Sequence, residues 1–170
     1  MGKYPKLISF VSFILYVLLN YYFLSFAVSY KIVGYLEEFE EIKELRKILS
    51  DNINFEEIVT NFSLFLTLIS FLVQYIIAKF LLTIFSPDIK VYLYYALVPK
   101  LFITMVNIIF IGLFQIYNLL LYQFTALLGA FLIMFFLKCK KANWTASILF
   151  SSIFLLDSLY TFGKSLYSLL

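Results

Sequence analysis

The sequence predicts an all-α integral membrane protein with about five spanning helices, and three observations predict it. Of its 170 residues, 64% are hydrophobic and 14% charged, where a soluble domain carries roughly 45–50% and about 25%. The apolar residues fall into long continuous runs, each near the roughly 20 residues that a helix needs to cross hydrocarbon. Those runs do not alternate with polar residues, which excludes a β-barrel. A water-soluble fold of this size still exposes much of its area and could not hide so much apolar surface. The bilayer must therefore act as solvent, and helices suit it because they satisfy their own backbone hydrogen bonds.

Five spans follow in order within a single membrane domain, 1–170. The first covers about 7–30. Lys3 and Lys6 precede it and Ala27-Val28-Ser29 loosely imitates a cleavage site, so a signal peptide competes with a retained span; the apolar run exceeds a typical h-region of roughly 7–15 residues. The second span covers 62–85, its helix opening earlier at the capping box Asn54-Phe55-Glu56-Glu57. The third covers 91–114, the fourth 119–137 and the fifth 145–162. Ser86-Pro87-Asp88 reads as a helix start. Pro99 interrupts the third apolar stretch and should kink it. Residues 87–97, with Tyr92, Tyr94 and Tyr95, then suit a short interfacial helix.

Basic residues orient the chain. With the N-terminus inside, Lys3, Lys6, Lys90, Lys100, Lys138, Lys140 and Lys141 gather on the cytoplasmic face. The positive-inside rule thus favours N-in and C-out, which needs an odd number of spans.

Between the first two spans, Leu36, Phe39, Ile42, Leu45 and Leu49 recur at three- and four-residue spacing among acidic residues. They describe an amphipathic extracytoplasmic helix over about 35–50. It either lies apolar side down over the bundle or docks a partner's extracytoplasmic domain.

Several residues are out of place in a bilayer. Asp157 lies within the fifth span, where a carboxylate should face the bundle interior or be protonated. Counting rises along the helices sets Asn20, Asn107 and Gln123 in the same half of the membrane, which suggests a buried polar layer. Asp157 could hydrogen-bond neighbouring helices, relay protons or ions, or pair with another subunit. Lys79 lies near the cytoplasmic end of the second span and can snorkel. Thr125 with Gly129, Ala126 with Ala130, and Ser147 with Ser151 are small-residue pairs one turn apart, fit for close helix packing within the chain or between copies.

Catalytic and cofactor chemistry finds little support. The chain has no histidine and one cysteine, Cys139, so the commonest general base and metal ligand is missing and no internal disulfide can form. No cofactor is implied. Gly163-Lys164-Ser165 lacks the earlier glycine of a phosphate loop, and no nucleophile elbow or zinc-protease motif is present. A net charge of +3 from scattered residues gives no basis for nucleic-acid binding.

The run Ser86-Pro87-Asp88-Ile89-Lys90, then Tyr94-Tyr95-Ala96-Leu97-Val98-Pro99-Lys100, resembles the Yip family of five-span membrane proteins. The resemblance centres on 72–114, and beyond it rests on span count and topology. It implies five helices, N-in and C-out. Eukaryotic members act in trafficking and bind small GTPases through a cytoplasmic N-terminal region, which has no counterpart in the few residues before the first run. Bacterial members include small subunits that accompany ABC exporters. The Ile-, Lys-, Phe- and Tyr-rich composition suits an A+T-rich bacterial genome and hence a bacterial cell membrane. The expected role is a non-enzymatic accessory or scaffold subunit of a membrane complex, with an ABC exporter as one partner besides membrane lipid. The alternatives are a stand-alone immunity or small transport protein using a polar layer around Asp157, and a membrane enzyme. A homo-oligomer is compatible with all of these.

Overall fold

The computed structural model describes residues 4–38, 55–140 and 142–167. Among them are five helices long and apolar enough to span a membrane and no strands: α1 Pro5–Glu38, α2 Phe55–Phe85, α3 Tyr94–Gly112, α4 Leu119–Cys139 and α5 Trp144–Tyr167.

Side-chain caps and turns set several of the boundaries. Asn118 opens α4 by accepting from the backbone N–H groups of Leu120 and Leu121 through Oδ1, at 2.9 and 3.3 Å; this is the N-cap device that satisfies otherwise orphaned donors. Asn143 does the same for α5, accepting from Ala146 N–H at 2.7 Å. Between α3 and α4, Gln115 takes a positive φ of 54°, and Ile116 N–H reaches back to Phe110 C=O at 3.1 Å. A left-handed residue of this kind lets the chain leave a helix while still pairing its last carbonyls.

Boundaries differ from the sequence expectation at the end of α1 and around Ser86-Pro87-Asp88. α1 continues past residue 30 to Glu38, so Leu36 belongs to α1 rather than to a separate amphipathic helix; Phe39, Ile42, Leu45 and Leu49 lie outside the described residues. Asn54 also lies outside them, and α2 begins at Phe55 with Glu56 and Glu57 in its first turn, where acidic side chains favour the positive end of the helix dipole. Ser86-Pro87-Asp88 does not start a helix. Ser86 N–H closes the end of α2 on Leu82 C=O at 2.8 Å, and Ile89 N–H bonds Ser86 C=O at 3.2 Å. The fixed φ of proline suits the second position of such a turn as well as a helix start. α3 begins at Tyr94, with Pro99 buried inside it.

The helices pack in a closed ring. α1 lies against α2 and α3, α3 also against α4, α4 also against α5, and α5 against α2. The spatial order is therefore α2–α1–α3–α4–α5. Inside the ring, Phe71, Phe150, Phe154, Leu97, Ile133 and Leu137 are fully buried. Tyr16 meets Phe71 at 5.1 Å between ring centroids, Phe71 meets Phe154 at 6.2 Å, and Phe150 meets Phe154 at 5.7 Å. At this level the interior is filled with side chains. Large apolar residues cover the outside, among them Phe80 and Phe102. In lipid such residues gain little from being buried, so dispersion contacts and interhelical hydrogen bonds hold the ring together.

Candidate functional site

Counting about 1.5 Å per residue, Gln74, Asn107, Asp157, Thr125 and Asn20 lie about 16–23 Å from the end of the bundle where α1 starts. Depth alone would make them one layer. Their contacts divide them.

Asn107 on α3 and Thr125 on α4 are both buried, and the Thr125 hydroxyl lies 2.8 Å from Asn107 Oδ1. Asn20 turns back on its own helix, donating to Tyr16 C=O at 2.7 Å. Gln123 donates to Ser165 Oγ at 2.6 Å, and its buried Oε1 has no hydrogen-bond partner among the described residues. Asp157 touches none of these.

Its partner is Gln74 on α2. Gln74 Nε2 donates to Asp157 Oδ2 at 2.8 Å and also to Ser70 Oγ at 3.1 Å. Gln74 Oε1 accepts from Lys100 Nζ on α3 at 3.4 Å. The three side chains therefore read ammonium, amide, carboxylate. Only one amide orientation permits this, because the oxygen must face the cation and the NH2 group the anion. α3 shares no extensive packing with α2 or α5, and Lys100 reaches across the ring interior to make the contact. Its ammonium lies 5.2 Å from the Phe71 ring centroid and 5.1 Å from that of Phe154. The negative ring faces add a cation–π attraction that grows where water is excluded. Asp157 also acts on Lys100 electrostatically.

Of the two alternatives for Asp157, facing the bundle interior or being protonated, the first is not met, because its side chain is exposed. Phe150, Phe154 and Ser158 mark the buried line of α5, and at 3.6 residues per turn Asp157 lies about 65° to one side of that line. That offset points along the seam between α5 and α2, where Gln74 meets it. Oδ2 is satisfied there; among the described residues Oδ1 accepts no hydrogen bond.

The remaining sequence candidates are placed as follows. Lys79 is exposed on α2 and does not join the cluster. Lys100, assigned from sequence to the cytoplasmic face, lies in the second turn of α3 with its ammonium among buried rings. Helix α3 starts at Tyr94 and runs on through Pro99, so Lys100 lies inside it. Gly129 and Ala130 are buried on α4, and a Cβ at Gly129 would meet Ile103 Cγ1 of α3 at 3.2 Å. Ser147 and Ser151 are fully buried on α5. Ala126 is exposed, although Ala130 one turn later is not; the Ala126–Ala130 pair is thus no continuous packing stripe, since burial along α4 changes with depth in the ring.

Sequence reasoning missed Gln74 and Ser70. A glutamine in the middle of an apolar run, four residues after a serine, was the available signal. Among the described residues no group of His, Cys, Asp and Glu side chains could hold a metal ion. No protein-family model, curated protein or solved structure matches the chain.

Proposed function

We propose that the chain is a non-enzymatic accessory or scaffold subunit of a membrane complex, and that its α2–α5 seam is where a partner helix docks. The observation that carries this reading is the Asp157 carboxylate, exposed midway along a membrane-spanning helix, one of its oxygens accepting no hydrogen bond among the described residues. Ionisable groups at that depth are costly and are normally paired or turned toward a protein interior. A partner that covers the seam removes the cost. The Yip resemblance supports an exporter of the ABC type as the complex, and the distribution of lysines supports an N-in, C-out subunit of a bacterial cell membrane.

A second reading draws on the Lys100–Gln74–Asp157 chain, which crosses the wall of the ring and has the form of a polar path. It is the weaker one, because the interior beside it is packed with Phe71, Phe150 and Phe154.

The test is site-specific photocrosslinking in native membranes. A photoreactive side chain at Tyr160 or Ile77, both exposed and one turn from Asp157 and Gln74 respectively, is expected to give one discrete protein adduct. The same group at Phe102, exposed on α3 across the ring, should give none. Lipid adducts alone at all three positions would sink the subunit reading.

A further inference from the structure

The seam carries more information than a lone carboxylate. Beside Asp157, Ser70 is exposed on α2. The two acceptors Asp157 Oδ2 and Ser70 Oγ share the same donor nitrogen, Gln74 Nε2, at 2.8 and 3.1 Å, so they are close neighbours. Each retains capacity on its open side. Among the described residues Asp157 Oδ1 accepts no hydrogen bond and the Ser70 hydroxyl donates none. The surface therefore offers one acceptor and one donor side by side.

Charge narrows the occupant further. Lys100 already opposes the Asp157 charge through Gln74, and the cluster sums to zero. A lysine or arginine brought to the seam would leave a net positive charge in hydrocarbon, and an acidic residue a net negative one, each of them costly. A hydroxyl can donate to Oδ1 and accept from Ser70, but both bonds must meet at one oxygen on a short side chain, which ties the partner backbone close to the seam. A primary carboxamide has an N–H donor and a C=O acceptor fixed in one plane, which matches the pair.

We infer that the α2–α5 seam recognises a partner's transmembrane helix through an asparagine or glutamine at mid-membrane depth, its amide donating to Asp157 Oδ1 and accepting from Ser70 Oγ. This inference rests on the subunit reading and names the chemistry of its partner.

The test uses the full chain labelled with a fluorescent acceptor at Cys139, its one cysteine, which is exposed. It is reconstituted into phosphatidylcholine vesicles with donor-labelled polyleucine transmembrane peptides carrying one central Asn, Arg or Leu. Peptide-only vesicles correct for peptide self-association. The Asn peptide is expected to associate about three- to tenfold more strongly than the Leu peptide, the scale of interhelical hydrogen bonds in bilayers. Ser70→Ala should reduce that preference and Asp157→Leu should abolish it. Equal association of the Asn and Leu peptides, stronger association of the Arg peptide, or a preference that survives both substitutions would overturn the inference. Ser70→Ala keeps the test decisive should Asp157→Leu fail to fold. If the peptides fail while Tyr160 and Ile77 still crosslink to one protein, the amide occupant is wrong and the docking seam stands.

Discussion

Gln74 is the residue on which the polar centre turns. It is 8% exposed, and its amide stands between a cation and an anion that would otherwise face each other across an apolar gap. Replacing it with leucine keeps the volume but removes both links, leaving, among the described residues, Lys100 with only aromatic faces and Asp157 with no side-chain donor. Gln74→Leu is expected to cost about 2 kcal/mol, the scale of leaving a buried polar group unsatisfied, as measured by unfolding in detergent micelles. Adding Lys100→Met and Asp157→Leu to that variant should restore at least half of the loss, because removing both charges removes the groups that were stranded. Lys79→Ala, exposed on the same helix, should stay within about 0.5 kcal/mol of the parent. A neutral Gln74→Leu would mean that the amide bridges nothing of consequence. Asp157 was visible in the sequence as an intramembrane carboxylate, because its cost in hydrocarbon follows from residue type and depth. Its partners were not, since Gln74 and Lys100 are distant in the chain and meet only through packing.

At the scale of elements, helix existence was legible and helix ends were less so. An apolar run of sufficient length specifies a spanning helix without help from the rest of the protein, and the structure has five such helices, although the third run, 91–114, exceeds α3 at both ends. Ends depend on which device captures the last backbone groups. Ser86-Pro87 carries the residues of a helix start, yet it forms a turn because the helix end at Leu82 and the turn at Ile89 use its backbone groups first. Pro99, expected to kink the third run, lies buried inside the single helix α3. Helix contacts are a further matter. α4 approaches α3 so closely at Gly129 that a Cβ would press on Ile103. Gly129→Ala is expected to be nearly neutral, since its higher helix propensity, about 1 kcal/mol, offsets the tight contact. Gly129→Leu should destabilise by about 2 kcal/mol through overpacking. Unfolding of the two variants side by side measures the difference; a tolerated leucine would mean that α3 and α4 do not touch there.

The whole molecule is defined by its ring order. Helices joined by short connections are neighbours for α3 with α4 and α4 with α5, but α2 and α3 are separated by α1, and α5 closes the ring on α2. Tyr75 and Phe150 report that closure, with ring centroids 6.0 Å apart. With Cys139 replaced by alanine, cysteines at Tyr75 and Phe150 should be joined by a short bifunctional thiol reagent, giving a gel-mobility shift. Cysteines at Tyr75 and Phe102 should not be, since α1 lies between α2 and α3 in the ring and Phe102 is exposed on its outside. The reverse pattern would require a different arrangement of helices and would dissolve the Lys100–Gln74–Asp157 link along with it.

By itself the sequence determined that this chain has helices fit to span a membrane, how many there are, and where along its own helix each polar residue falls. Those properties depend on composition and on rise along one helix. Only the tertiary structure decided what the intramembrane carboxylate touches. Depth is a count of residues, whereas contact also needs the rotation of each helix and the identity of its neighbours, and both are set by packing five helices at once. That is why Asn20, Asn107, Gln123 and Asp157 share a level without sharing a network. It is also why a lysine one turn after the start of α3 ends up answering a carboxylate on α5.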